Sequence, residues 1–350
     1  MTQCVVRGRA LGLHCVTSHA QRTTCSGTVI CLVRCMHASV HQATPSVLAL
    51  VVSAFICMQN RRSMRSLSGV KEPDAPADAI IWQPSVRLLL LFQKAVAEGG
   101  RSMVYECAQV ADQMKERAAA GDAAGAKALD ERLAFMTPIL KGFLTEAGKE
   151  AADGAIQVYG GHGYIKDNGV EQVFRDVRIA PLWEGTTQIQ ALDLLGRKVL
   201  LQKLRPIHEH CGRLFRLCAP LLLSRDAQLR RHAASLLAHA FEWAGLTHRI
   251  AWRAARNREH VSSASVEYLM YSGYVTLAAH WLQMESAAVT ALASGSGEEE
   301  PDFYLSKKKT SSFVFDRLLP RTRGLKAGIL APAESLTAMR LDEFSFDHSR

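Results

Sequence analysis

A carboxylate at Glu184, set in the short turn Trp183-Glu184-Gly185-Thr186-Thr187 between two stretches of helical pattern, is well placed to move a proton. A carboxylate held between helices and facing a cavity suits abstraction of a weakly acidic C–H, because partial loss of water raises its pKa toward the working pH. Upstream, Gly160-Gly161-His162-Gly163-Tyr164 forms a glycine-rich turn, far enough away to lie at the other end of an intervening helix. On its own Glu184 reads as a surface glutamate near a helix start, where its charge favours the helix dipole. The glycines by themselves read as a helix-ending turn. The joint pattern is more specific than either: Gly-Gly-His-Gly-Tyr, then Arg175-Asp176-x-Arg178-Ile179, then Trp183-Glu184-Gly185-Thr186, then Gln188-Ile189-Gln190.

The elements that must position these residues are helices. From Pro84 to about Ala119, Leu89, Phe92, Val96, Met103, Cys107, Val110 and Met114 recur on one face. Pro84 lies near the start, where a missing N–H costs nothing. Gly99-Gly100 interrupt the run and mark close approach by a ligand or, the reading favoured, tight packing of a neighbouring helix. After Gly121-Asp122 a second helix carries Leu129, Leu133, Met136, Leu140, Phe143, Leu144, Ala147 and Ala151, with Pro138 expected to kink it. A third, about Glu171 to Ile179, leads to the Glu184 turn. The fourth, about Thr187 to Gln202, is expected to turn Ile189, Leu192, Leu195 and Leu200 inward.

Beyond Pro206 a further array begins, with a stripe of Leu229, Ala233, Leu236, Leu237, Ala240, Trp243 and Ile250 and a helix over about Ser263 to Ala293. An exposed linker from Gly295 to Pro301 leads to a helix bearing Phe303, Tyr304, Phe313, Phe315 and Leu318 that stops near Pro320. Sustained alternation and hairpin signals are lacking. The expected class is therefore all-α: a four-helix bundle over residues 58–204 followed by a second helical domain over residues 205–345.

The net charge of +9 is concentrated in one place. No Asp or Glu precedes Glu72, whereas Arg7, Arg9, Arg22, Arg34, Arg61, Arg62, Arg65 and Lys71 do. The rest of the chain is close to neutral, which argues against nucleic-acid binding by the folded body. Residues 1–57 form an atypical leader, also holding Cys4, Cys15, Cys25, Cys31, Cys35 and Cys57. It reads as an organellar transit peptide, or as sequence that is not native coding sequence. Its cysteines do not form the paired clusters of a zinc site, and no metal is expected. Cys107, Cys211 and Cys218 read as reduced, buried small hydrophobes. The apolar run Val47 to Met58 is shorter than the roughly 20 residues a membrane span needs. His162 reads as a turn residue, His208-Glu209-His210 lacks the spacing of a helical zinc site, and Lys307-Lys308-Lys309 reads as a solvated helix face.

The joint pattern from Gln157 to Lys198 resembles the C-terminal domain of the acyl-CoA dehydrogenases, FAD-dependent enzymes that desaturate acyl-CoA thioesters. The similarity runs from about Met64 to Leu200, including Ser66-Leu67-Ser68-Gly69 and Lys94-Ala95-Val96-Ala97-Glu98-Gly99. It continues through Asp302-Phe303-Tyr304 and Arg317-Leu318-Leu319-Pro320-Arg321-Thr322, which look like the extra C-terminal helical domain of a subgroup that includes enzymes acting on 3-methylthiopropanoyl-CoA.

The resemblance implies that Glu184 removes the α-proton while its own amide helps hold the carbonyl oxygen, and that Gly185 lets substrate and flavin come close. It implies that Gln157, Gly160 and Gly161 contact the adenosine-diphosphate part of FAD across a dimer interface, and that Thr186 and Gln188 touch cofactor. Arg61, in a loose match to the family's cofactor motif, is a candidate for its phosphate. Arg175 and Asp176 are expected to form a structural ion pair. An electron-transfer flavoprotein as acceptor, a homodimer or homotetramer, and a mitochondrial or otherwise cytoplasmic location belong to the same expectation.

Two departures stand out. Trp183 replaces the Tyr that usually precedes the base, and the family's N-terminal helical and central β domains have no counterpart here. The chain would then carry the base but half the flavin pocket. The alternatives are an acyl-CoA oxidase, which the ending His348-Ser349-Arg350 does not support as a peroxisomal address, and a non-catalytic helical scaffold or dimerisation partner.

Overall fold

Gln83 is extended and Pro84 occupies the first helical position, so the chain enters a long helix without losing a backbone hydrogen bond. The computed structural model describes residues 61, 62, 64–295 and 300–345; the leader and the Val47–Met58 run lie outside the described residues. Helix α1 spans Pro84–Ala119 and α2 Ala123–Tyr159. The turn between them is closed by Asp122, whose carboxylate caps α2 at the amide of Gly125, 2.8 Å away. Leu89 lies opposite Gly154, Gly100 opposite Leu144 and Glu106 pairs with Arg132, so α1 and α2 run antiparallel. Helix α2 runs through Pro138 without a break.

Helix α3 spans Val170–Arg178 and α4 Thr187–Leu192, the latter prolonged by π-helical turns over Asp193–Leu200. Helices α5 (Arg205–Leu221), α6 (Ala227–Ala254) and α7 (Glu259–Ser294) follow. Helix α8 spans Pro301–Phe313 and α9 spans Thr322–Ile329. Among the described residues there is no strand, only an isolated bridge between Arg62 and Ala79, and no helix is long and apolar enough to cross a membrane.

Helix α7 is the hub. Every residue from Tyr271 to Leu282 is buried, as a helix apolar on all sides must be. Its neighbours approach so closely that small residues are required at the crossings. A Cβ on Gly99 of α1 would stand 2.4 Å from Leu277, and one on Gly273 would stand 2.1 Å from Phe143 of α2. Gly99 thus serves helix packing, and the Trp281 indole beside it donates to Ala95 O at 3.0 Å.

The polar side chains of α7 are accommodated. Ser272 and Thr276 donate to carbonyls one turn back, each at 2.7 Å. Glu285, fully buried, accepts from Gln228 and Ser311, each at 2.6 Å, and meets His232 Nδ1 at 2.7 Å. His280 lies between Ser102 Oγ and Glu106, each 2.9 Å away. That order of groups is the order of a nucleophile, a base and a carboxylate, but Ser102 sits inside α1, whose amides are spent on the helix and offer no oxyanion donors. The trio acts as a clamp between α1 and α7.

One continuous core joins residues of α1, α2 and the π-helical turns with residues of α5 to α8. The Leu318-Leu319-Pro320-Arg321 segment locks it from outside. The Arg321 guanidinium reaches Glu150 of α2 at 2.7 Å and the Tyr274 hydroxyl of α7 at 2.9 Å, and lies over the Phe92 ring of α1.

Candidate functional site

The Glu184 turn joins α3 to α4. Glu184 has φ +54° and Gly185 φ +96°, so two successive residues are left-handed. For a glutamate this conformation costs about 1 kcal/mol, and such strain gathers at functional sites. Gly185 has no such penalty, although a Cβ there would stand 2.7 Å from Gln190.

The turn is held from both sides. The ammonium of Lys141, a buried residue of α2, donates to Gly185 O, and Gln190 Nε2 donates to Glu184 O at 3.2 Å. Thr186 caps α4 by accepting from Ile189 N at 3.4 Å. The buried Thr187 hydroxyl donates to Glu146 Oε1 at 2.6 Å. Burial works against the charge on Glu146, but Lys149 and Thr187 outweigh it and hold the carboxyl below its usual range. Gln190 belongs to the Gln188-Ile189-Gln190 motif, whereas Lys141 and Glu146 were not singled out by sequence. Their spacing to Glu184 carries no local pattern, since α2 meets the turn only in three dimensions.

Both turn carbonyls are occupied, while among the described residues the Glu184 N–H donates to nothing. The Glu184 side chain is exposed. The desolvation expected of a base is thus not supplied by the described residues of this chain. Around it Ile179, Leu182, Trp183, Ile189 and Leu192 leave 47%, 48%, 39%, 54% and 38% of their surface exposed, an apolar collar on the rim of a carboxylate.

This corrects half of the expected inward face of the fourth helix: Leu195 is buried and Leu200 packs partly buried against the core, but Ile189 and Leu192 are exposed. The helix's buried residues are Thr187, Ala191, Leu194, Leu195 and Val199, a stripe that begins at ordinary α-helical spacing and leaves Ile189 and Leu192 on another side. The Arg175–Asp176 pair is also corrected. Arg175 pairs one turn back with Glu171 at 2.8 Å, and Asp176 accepts from Gln172, since neighbours in sequence point to different sides of a helix.

The glycine turn sits at the far end of α2. Gly160 has φ +58°, and the Arg61 guanidinium beside it binds Tyr159 O and approaches His162 Nδ1 at 3.3 Å. Gln157, Gly160 and Gly161 are exposed there. The structure brings Arg61, Gly160 and His162 together and places Thr186, Gly185 and Gln188 with Glu184. It keeps the two groups apart, because Lys141 and Gly160 are separated by about 28 Å along α2.

An exposed, strained glutamate with a free amide, preceded by a helix and a glycine turn, is the arrangement to compare with known proteins. Residues 49–200 match the family model described as acyl-CoA dehydrogenase, C-terminal domain, and residues 207–340 match the one described as acetyl-CoA dehydrogenase C-terminal like. The chain belongs to the acyl-CoA dehydrogenase family.

It is similar to a 3-methylmercaptopropionyl-CoA dehydrogenase of Ruegeria pomeroyi, 32% identical over 81% of this chain and 46% of the relative. The chain thus spans about half the length of the curated relatives it matches. In fold it is similar to an acyl-CoA dehydrogenase of Bacillus anthracis solved with FAD, with TM-score 0.65 and 16% identity over 89% of this chain and 50% of that one. An acyl-CoA oxidase of Yarrowia lipolytica is nearly as similar, with TM-score 0.63 and 17% identity over 89% of this chain and 47% of that one. Backbone shape therefore does not separate dehydrogenase from oxidase within this acyl-CoA dehydrogenase fold.

Proposed function

We propose that this acyl-CoA dehydrogenase family chain serves the α,β-desaturation of an acyl-CoA thioester, with Glu184 as the base that takes the α-proton. The observation that carries this reading is the Glu184 turn itself: a carboxylate in a costly left-handed conformation, ringed by exposed apolar side chains. The α-proton of a thioester is weakly acidic, so its removal needs charge stabilisation at the carbonyl oxygen. The free N–H of Glu184 is one donor suited to that oxygen, and Gln190 and Lys141 hold the two carbonyls that follow it, Glu184 O and Gly185 O. Gly185 keeps the approach to the turn open.

The residues present fit one edge of a flavin site. Thr186 and Gln188 present polar groups beside Glu184, and Arg61 presents a cation beside the exposed Gly160 turn. When bound, FAD would accept the β-hydrogen as hydride. Because the Glu184 turn meets the middle of α2 and the glycine turn its C-terminal end, about 28 Å away, Gln157, Gly160, Gly161 and Arg61 would serve the cofactor of a second copy in a dimer. An electron-transfer flavoprotein is the proposed acceptor, and the Ruegeria relative's substrate, 3-methylmercaptopropionyl-CoA, is the first thioester to try. The leader's transit-peptide reading would place the protein in mitochondria.

The test is whether the full chain, incubated with FAD and gel-filtered, is yellow and bleaches anaerobically with acyl-CoA. Glu184→Gln should keep the flavin and lose the bleaching; a variant that still bleaches removes Glu184 from the mechanism. Rapid reoxidation by oxygen would assign the chain to the oxidases. A second reading is favoured by the same exposed collar: a non-catalytic helical partner that docks through it. Stably helical protein that takes up no flavin supports that reading instead.

A further inference from the structure

Between the first half of α2 and α5 lies a concave cleft of about 690 Å3, into which Arg117, Arg132, Arg213, Arg216 and His208 project. Two of these four guanidinium groups have acids of their own: Arg117 pairs with Asp122 at 2.8 Å, and Arg132 pairs with Glu106. Glu209, also on the cleft wall, lies 3.6 Å from Arg205, which already binds Glu131. Among the described residues no carboxylate pairs with Arg213 or Arg216.

Arg213 instead approaches Nδ1 of the buried His210 at 3.4 Å. Burial, with Arg213 adding repulsion, pushes His210 down to about 3, so the ring is neutral. Its Nδ1 then accepts and its proton sits on Nε2, which is buried without a partner among the described residues. At contact distance Arg213 thus meets a neutral ring, while Glu106 and Glu209 attract it only from beyond ion-pair distance. Burial and the nearby Arg132 bring it down to about 10. A partly buried guanidinium without a counter-ion is destabilising, and concave walls of low dielectric concentrate its field on an incoming anion.

We propose that this cleft binds a small molecule bearing a phosphate or diphosphate group, held mainly by Arg213 and Arg216. Guanidinium forks match phosphate oxygens two at a time. Arg132 and Arg117 do not compete for the ligand, because each is held by its own acid. His208, whose Nε2 lies 2.9 Å from that of His248, closes the outer side. A small ligand suits the site because Arg213 and Arg216 both line one concavity instead of an extended flat face. The site is independent of the chemistry at Glu184.

Calorimetric titration of the full chain with inorganic pyrophosphate, at constant ionic strength, is expected to show saturable binding. Arg213→Gln should weaken it by about tenfold or more. Arg216→Gln, at an exposed position that leaves folding intact, should weaken it as well, whereas Arg323→Gln on the exposed side of α9 should not. Failure of pyrophosphate to bind at millimolar concentration, or equal binding by wild type, R213Q and R216Q, would overturn the proposal. Co-sedimentation with phosphatidic-acid vesicles separates the sources: binding that pyrophosphate displaces is consistent with the site, and binding that it does not displace assigns the surplus charge to a membrane surface and overturns it.

Discussion

Helix α7 and the Glu184 turn are both rich in large apolar side chains, and they are treated in opposite ways. From Tyr271 to Leu282 every residue is buried, and the polar ones find partners within the core. From Ile179 to Leu192, five large apolar residues stay half-exposed around a glutamate whose backbone is left-handed. The first stretch stabilises this chain through its own contacts. The second leaves apolar surface and a strained glutamate uncovered by the described chain, which is the signature of a surface shaped for something that covers it.

Replacing Trp281 by Ala should do the most damage, removing a fully buried ring and its bond to Ala95 O and costing about 3–5 kcal/mol. A shift in urea stability below about 1 kcal/mol would break the contrast at its buried end. Acid should act next. Burial opposes the charge of Glu106, but His280 and Arg132 outweigh it and bring its carboxyl from 4.5 to about 2. Its stabilisation is present in full above about pH 5 and fades as pH falls toward 2, by up to about 3 kcal/mol. Glu106→Gln should flatten that part of the stability profile; an unchanged slope would show that other groups carry it.

At the exposed end the sign should reverse. Glu184→Gly should stabilise the isolated chain by about 1 kcal/mol, because glycine adopts the left-handed conformation without strain. Destabilisation instead would mean that the side chain makes a contact the turn needs. The smallest effect is expected for Ile189→Ser, within about 0.5 kcal/mol by urea titration. A larger loss would place Ile189 in the core after all.

Local pattern foretold the scaffold well. Helix α1 runs from Pro84 to Ala119 as the apolar repeat indicates, and α3 begins and ends within one residue of its expected bounds. Such features rest on side-chain periodicity and on the backbone limits of proline and glycine, which act over a few residues. The same periodicity misplaced Ile189 and Leu192, because in a short helix with apolar residues on more than one side the pattern alone does not say which side meets the core. The partner of Arg175 was also missed, since Glu171 one turn away is nearer in space than Asp176. Lys141 and Glu146 were invisible as supports of the turn, being separated from it by a whole helix in sequence.

From the order of residues alone came the all-α class, the Glu184 turn and the likeness that relates it to a family. Only the folded chain decided that Glu184 is strained and exposed, that its turn is braced by the middle of α2 about 28 Å from the glycine turn, and that α7 unites the bundle with the helices after it. The division has a physical cause. Helix propensity, capping and turns depend on near neighbours, whereas burial, charge pairing and the distance between two turns depend on segments brought together by packing.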